Sequence, residues 1–141
     1  PPVVDFAAEQ ALGEILIAGA TSVAHLGAHD LSNGGLAQAL VDMACRFHIG
    51  ARLDLRQLEA ETGLGATALL FSETQARAVA CVREDQLDAV CRQAEAAGIG
   101  VWRIGESGGP DLSITLSQGE VSFSVRELVD ASAQVLPNLF D

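Results

Sequence analysis

The segment best equipped for chemistry runs from Ala28 to Leu36 and reads AHDLSNGGL. A short apolar stretch precedes it and an amphipathic pattern follows it, so we expect it to join a strand to a helix. Adjacent glycines at Gly34 and Gly35 let a backbone approach a ligand closely, and N–H groups at a helix start can bind an anion. Asp30 and Ser32 would add oxygen atoms, and the Asp30 carboxylate suits a divalent cation.

The same segment also has a purely structural interpretation. Ser32 or Asn33 can cap the following helix, the glycines can serve the geometry of the turn, and Asp30 can accept hydrogen bonds from turn amides. Capped, glycine-rich turns of this kind are common, so the pattern alone favours the structural interpretation. The segment also lacks the GxGxxG spacing of dinucleotide-binding turns, which argues against that class of ligand.

A second polar segment, Ser72-Glu73-Thr74-Gln75, interrupts two apolar runs at 69–71 and 79–82. Polar side chains between two core segments could face a shared pocket, where a carboxylate beside a hydroxyl and an amide suits sugar hydroxyls or an amide-bearing ligand. Glu73, Thr74 and Gln75 are therefore candidate ligand residues. The alternative is a turn or helix cap with Ser72 as the capping residue, which this segment taken alone favours slightly.

The histidines and cysteines form no recognisable catalytic or metal-binding pattern. His29 adjoins Asp30, but neighbours in a strand point to opposite faces, so a catalytic pair is not implied. No serine or cysteine occupies a nucleophile elbow. The three cysteines have no zinc spacing, and we expect buried free thiols in a reducing cytoplasm. They are Cys45, Cys81 and Cys91, and the other histidines are His25 and His48.

Composition excludes several classes of function. The 141 residues carry a net charge of −11, and all eight basic residues are arginine. A nucleic-acid partner is not expected, because phosphate neutralisation needs a basic face. The lack of lysine excludes Schiff-base chemistry and a complete Walker A loop within these residues. No apolar run reaches the roughly 18 residues that a membrane span needs, so no membrane partner is expected either.

Length and pattern predict one domain over residues 1–141, and the Pro1-Pro2 start without methionine suggests a piece of a larger chain. The predicted class is α/β (α+β), a mixed sheet packed with helices and closed by a hairpin across residues 117–119. Predicted helices cover 5–20, 36–47, 57–63, 65–71 and 83–97, and residues 125–140 are predicted to form a last helix followed by a tail that Pro137 interrupts. Predicted strands cover 22–27, 51–55, 77–82, 99–104, 112–116 and 120–125, with a loop over 105–111.

Three stretches together resemble one known family: AHDLSNGGLAQAL, LFSETQARAVACV and AAGIGVWRIGE. They are similar to the last domain of the large subunit of phosphoribosylformylglycinamidine synthases, in the aminoimidazole ribonucleotide synthase superfamily. The resemblance runs from about Val4 to the terminal LPNLF. The AHD-x-S-x-GGL pattern is fairly specific, and its pairing with SETQ-A-R makes the resemblance strong. Weaker forms of the first pattern occur elsewhere in the superfamily, so another member, such as aminoimidazole ribonucleotide synthase, remains an alternative.

The resemblance implies an ATP-dependent ligase of de novo purine biosynthesis in the cytoplasm. Such enzymes convert formylglycinamide ribonucleotide, ATP and glutamine-derived ammonia to formylglycinamidine ribonucleotide, with ATP and magnesium as cofactors. The implied partners are the upstream domains of the same chain, a glutaminase subunit and a small accessory subunit. The synthase chain has two tandem halves, and this sequence resembles the last domain of the second half, which faces the non-catalytic cleft.

Site roles are implied by the same resemblance, residue by residue. In the first half, the matching aspartate coordinates magnesium, and the matching Glu-Ser-Gln contacts substrate. Those positions fall here on Asp30 for magnesium and on Glu73, Thr74 and Gln75 for ligand, with threonine replacing serine. Ser32, Gly34 and Gly35 complete the expected ligand site.

No residue of this chain is expected to be catalytic. Alone the chain is expected to be inactive, supplying half of a ligand cleft and interdomain packing. A stand-alone ligand-binding module is the alternative from a different functional class.

Overall fold

The computed structural model describes residues 4–22 and 24–134. The helices are α1 (Phe6–Thr21), α2 (Gly35–Phe47), α3 (Arg56–Thr62), α4 (Ala66–Phe71), α5 (Leu87–Ala96) and α6 (Val125–Gln134). The strands are β1 (His25–Asp30), β2 (Ala51–Asp54), β3 (Ala78–Val82), β4 (Gly105–Ser107), β5 (Asp111–Leu116) and β6 (Gly119–Ser124). Among the helices of these two ranges, none combines the length and hydropathy needed to cross a bilayer.

The chain divides into two compact units, each built from two separate stretches of sequence. The first comprises Pro1–Ala39 and Leu70–Arg103, and the second comprises Leu40–Leu69 and Ile104–Asp141. Whether they act as one domain over 1–141 remains a prediction.

The first unit is built on an antiparallel pair of strands, β1 and β3, with His29 opposite Val79 and Asp30 opposite Ala78. Helix α1 contacts both β1 and α5. Asp5 caps α1, because its carboxylate accepts the N–H groups of Ala7 and Ala8 at 3.0 and 3.1 Å. The predicted opening helix is therefore confirmed, with Asp5 as its cap.

The first strand begins three residues later than the predicted 22–27. The hydroxyls of Thr21 and Ser22 donate to the carbonyls of Ile17 and Ala18, at 2.8 and 2.9 Å. These bonds hold residues 21 and 22 to the end of α1, in competition with a strand. The strand also ends three residues later than predicted, so Asp30 is its last residue.

The second unit contains a four-stranded mixed sheet in the order β4-β2-β5-β6. Strands β2 and β5 run parallel, while β2 with β4 and β5 with β6 run antiparallel. Helix α3 contacts β5, and α6 contacts β6. The predicted hairpin and mixed sheet are confirmed here. Buried apolar side chains form the core of this unit, among them Leu53, Leu55, Leu69, Leu112, Ile114 and Val125.

The predictions for residues 99–111 are wrong in detail. The apolar run 99–104 has no regular structure, and Val101 and Trp102 are 41% and 40% exposed, so it is not a core strand. The strand is Gly105–Ser107, which lay within the predicted loop and pairs with β2. A Cβ at Gly105 would come within 2.1 Å of the Arg52 carbonyl oxygen, so this pairing requires glycine.

The helical predictions differ only at their ends. A 3-10 turn, Glu84–Gln86, precedes α5, and Gly98 follows it in a left-handed conformation with φ 73°. The predicted last helix is observed through Gln134, and its predicted remainder, 135–140, lies outside the described residues.

Candidate functional site

The two candidate segments meet within the first unit. The Gly34 N–H donates to Oε1 of Glu73 at 2.8 Å, a contact across 39 residues of sequence. Close by, the Leu31 N–H donates to the Arg77 carbonyl at 3.1 Å, which continues the β1–β3 pairing. The AHDLSNGGL turn and the SETQ segment therefore form one local structure.

Both glycines of the turn are in the left-handed region, with φ 73° at Gly34 and 65° at Gly35. A Cβ at Gly35 would lie 2.7 Å from the Leu70 carbonyl oxygen and 2.9 Å from that of Ser72. At Gly34 it would meet the Gln38 side chain instead, at 2.7 Å. The close backbone approach at Gly35 is thus to residues 70–72 of this chain.

Glu73 places a negative charge at the start of α2. The sequence predicted that N–H groups there would be available to an anionic ligand, but the N–H of Gly34 is already donated to the Glu73 carboxylate. A carboxylate at a helix N-terminus is favoured by the helix dipole, so this contact stabilises the turn. An anion approaching Gly34 would have to displace Glu73.

Asp30 ends β1 with its side chain 67% exposed. A hydrogen bond from the Ser32 hydroxyl, together with the nearby His29, holds the pKa of Asp30 below its usual value. The Nδ1 atom of His29 lies 2.6 Å from the Asp30 carbonyl oxygen and 3.5 Å from Asp30 Oδ1. Asp30 is therefore ionised at neutral pH and accessible to a cation.

The SETQ segment is mostly exposed, and its hydroxyls bond to each other. Ser72 Oγ lies 2.7 Å from Thr74 Oγ1, whereas Glu73, Thr74 and Gln75 are exposed to solvent. Ala76, the next residue, has a left-handed φ of 57°.

Two residues that sequence reasoning did not single out form hydrogen bonds with this segment or with the residue after it. The Glu9 carboxylate on α1 accepts the Ala76 N–H at 2.8 Å, and Arg77 Nη1 donates to the Ser72 carbonyl at 3.3 Å. Partial burial lowers the pKa of the Arg77 guanidinium, which stays charged. The SETQ-A-R pattern itself contains Arg77, but nothing in the sequence ties Glu9 to a segment 67 residues away.

The remaining histidines and the cysteines lie outside the two candidate segments. Both ring nitrogens of His25 are buried without a hydrogen-bond partner, and burial lowers its pKa, so this histidine is neutral near pH 7. None of the three cysteines forms a disulfide, and each is partly exposed rather than buried as predicted. Burial and the charge of Asp42 raise the pKa of the Cys45 thiol, which disfavours the reactive thiolate.

A magnesium ion at this site would receive few ligands from the chain. Within residues 4–22 and 24–134, no cluster of three or more His, Cys, Asp or Glu side chains could hold a metal. Asp30 offers one ionised carboxylate. That donor set suits an ion that takes its other ligands from water and phosphate, as magnesium often does.

Comparison with known proteins agrees with the motifs. A family model described as "AIR synthase related protein, C-terminal domain" matches residues 1–117. The PurL subunit of phosphoribosylformylglycinamidine synthase from Thermobifida fusca is 41% identical over 140 residues, covering 99% of this chain and 17% of that protein. The PurL of Renibacterium salmoninarum is 40% identical over 144 residues, covering 99% and 18%. The chain therefore spans less than a fifth of these relatives' length.

Solved structures share the fold. Thermotoga maritima PurL complexed with FGAR matches with a TM-score of 0.79 and 21% identity, over 91% of this chain and 22% of that one. The same protein complexed with ATP matches with a TM-score of 0.76 and 22% identity, over 90% and 22%. With the family model matching most of its residues, the chain belongs to the AIR synthase related proteins, as a C-terminal domain of that family.

Proposed function

We propose that this chain is the last domain of a PurL-type phosphoribosylformylglycinamidine synthase subunit of de novo purine biosynthesis. The reaction joins glutamine-derived ammonia to formylglycinamide ribonucleotide at the expense of ATP, giving formylglycinamidine ribonucleotide, ADP and phosphate. Two findings support this proposal. The curated relatives are PurL subunits, and a hydrogen bond joins Gly34 to Glu73. That bond unites the two segments on which the family resemblance rests.

Within such a subunit, the domain supplies one wall of a ligand cleft. Asp30 would hold a magnesium ion, which neutralises phosphate charge when bound. Its low pKa and its exposure support this role. The remaining ligand contacts would come from the two segments: Ser32, Gly34, Gly35, Glu73, Thr74 and Gln75.

The domain is not proposed to catalyse the reaction itself. Phosphoryl transfer depends on cations that grip the transferred group. The chain has no lysine, and Arg77, the arginine beside the site, donates to the Ser72 carbonyl. The cations that grip the transferred group would belong to upstream domains of the same subunit.

The proposed partners are those upstream domains, a glutaminase subunit and a small accessory subunit, in the cytoplasm. One solved relative from Thermotoga maritima carries the name PurLQS.

The proposal is tested with the intact subunit and with the 141-residue chain alone. We expect the intact subunit to form the amidine product from formylglycinamide ribonucleotide, ATP and ammonia, and the chain alone to form none. Product formation by the isolated chain, or its absence from the intact subunit, would refute the proposal.

The site residues are tested by calorimetry with ADP and Mg²⁺ on the intact subunit. Asp30→Asn removes the charged magnesium ligand and should weaken Mg²⁺-dependent ADP binding about tenfold or more. Asp85→Asn is the matched control, because Asp85 is an exposed aspartate of the same unit that pairs with Arg83. Equal affinity of the two variants for ADP with Mg²⁺ would show that Asp30 is not part of the site.

A further inference from the structure

We propose that Glu9, on α1, is a positioning residue for the ligand segment. By accepting the N–H of Ala76, it holds residues 72–75 against the glycine turn. The ligand role of that segment rests on the function proposed above, whereas the positioning itself concerns only contacts within this chain.

The first step concerns the conformation of Ala76. Its φ of 57° lies in the left-handed region, which the Cβ of alanine disfavours by a factor of about ten in population. A conformation of that kind persists only when surrounding contacts enforce it. The Ala76 N–H lies 2.8 Å from Oε1 of Glu9, so this contact acts on the strained residue itself.

The second step concerns what Ala76 controls. The segment before it is fastened by the bond from Gly34 to Glu73, and the residue after it, Arg77, enters the β1–β3 pairing through its bond from Leu31. Ala76 is the link between these two attachments. If its φ returned to the ordinary negative range, the chain direction of residues 72–75 would turn away from β3, and Glu73 would leave Gly34.

The third step concerns why Glu9 is suited to this task. It lies in the first turn of α1, a helix that contacts β1, so its backbone is fixed relative to the strand that ends at Asp30. The side chain is exposed, so this long-range bond is not a by-product of burying the residue. The other acid of the helix, Glu14, accepts from Gln10 within the same helix and provides a matched control.

The positioning is tested by NMR on the 141-residue chain, using two readouts. The three-bond HN–Hα coupling of Ala76, read together with its intraresidue HN–Hα NOE, reports its φ, and the exchange rate of the Gly34 amide reports the bond to Glu73. In Glu9→Ala we expect the coupling to move to the value of a negative φ and Gly34 exchange to quicken about tenfold. Glu9→Gln keeps an acceptor oxygen and should stay near the parent, as should Glu14→Ala.

A rescuing second substitution distinguishes a positioning role of Glu9 from a general stabilisation of the fold. Glycine adopts positive φ at no steric cost, so Glu9→Ala combined with Ala76→Gly should restore slow Gly34 exchange. Loss of helix stability alone would leave this double variant as defective as Glu9→Ala. If Glu9→Ala fails to fold, Glu9→Asp, whose carboxylate is one methylene shorter, should show the same changes at smaller size.

Parent-like Ala76 coupling and Gly34 exchange in Glu9→Ala would overturn the inference, as would a failed rescue. In the intact subunit, calorimetry with ADP and Mg²⁺ should show about tenfold weaker binding for Glu9→Ala and recovery in the double variant. If the parent subunit bound no ADP while the NMR changes occurred, the proposed function would fail and the positioning role would stand.

Discussion

In both units of this chain, a glutamate side chain accepts a backbone N–H at a turn and holds that turn in place. In the second unit, Glu59 on α3 accepts the Ser117 N–H at 2.7 Å and its hydroxyl at 3.2 Å, at the turn between β5 and β6. In the first unit, Glu73 accepts the Gly34 N–H at 2.8 Å. The two differ in exposure, because Glu59 is 7% exposed whereas Glu73 is exposed.

This difference in exposure distinguishes a contact that the fold must keep from one whose partners can change. A buried carboxylate must keep its hydrogen bonds, because unsatisfied polar groups away from water are costly. An exposed carboxylate loses less than a buried one when its partner is removed, because water can take up the vacated hydrogen bond. Glu59 therefore fixes the hairpin, whereas Glu73 holds the glycine turn by an exposed contact in which water can replace either partner.

The largest expected effect comes from the glycine turn rather than from either carboxylate. Gly35→Ala forces a Cβ into the backbone of residues 70–72 at a positive φ, and should lower the free energy of unfolding by about 3 kcal/mol or more. In Gly34→Ala the new Cβ meets the flexible Gln38 side chain instead of backbone, and the free energy of unfolding should fall by about 1 kcal/mol. Urea denaturation of both variants measures this, and equal losses would contradict the assignment of the tight contact to Gly35.

The next effect compares the two glutamates directly. Glu59→Ala removes a buried carboxylate and leaves the Ser117 N–H of this part-buried contact without its acceptor, which should cost about 2 kcal/mol of unfolding free energy. Glu73→Ala, at an exposed contact, should cost less than about 1 kcal/mol. Thermal and urea unfolding report both values, and a Glu73 loss as large as that of Glu59 would remove the distinction drawn between them.

The smallest effect concerns the pKa of Asp30. Since the folded pKa lies below the usual 3.8, its contribution to stability is present above pH 4 and is lost as the pH falls through the folded value. Ser32→Ala removes the main cause and should move the pKa upward, toward 3.8. A carbon-detected NMR titration of the Asp30 carboxyl measures this shift.

The control for that titration is Ser72→Ala, which alters a hydroxyl bonded to Thr74 instead. It should leave the Asp30 pKa at its parent value. An unchanged pKa in Ser32→Ala would make another group responsible for the shift.

The elements that sequence predicted well are those whose evidence is local. The amphipathic α2 and the alternating strands around Ser117 carry their own periodicity, and both are found. The prediction failed at 99–107, because an apolar run there is half-exposed and the true strand exists only through its pairing with β2. Sequence pattern does not contain that long-range pairing.

For the candidate site as well, local sequence patterns were predictable and long-range contacts were not. Both motifs were found by residue type and by family resemblance, but their junction at Gly34 and Glu73 is a tertiary contact. The role of Glu9 had no local signal, because an acid in the first turn of a helix is ordinary.

The contact between Glu9 and Ala76 also has a consequence for how the protein is made. It closes 67 residues of chain, and the bond from Gly34 to Glu73 closes 39. Contacts that close long loops form late, because the entropy of closure is lost before the contact contributes. During synthesis, residues 72–75 can adopt their folded conformation only after Ala76 has emerged from the ribosome. Ala76 can then contact Glu9 on α1, a helix that was synthesised much earlier.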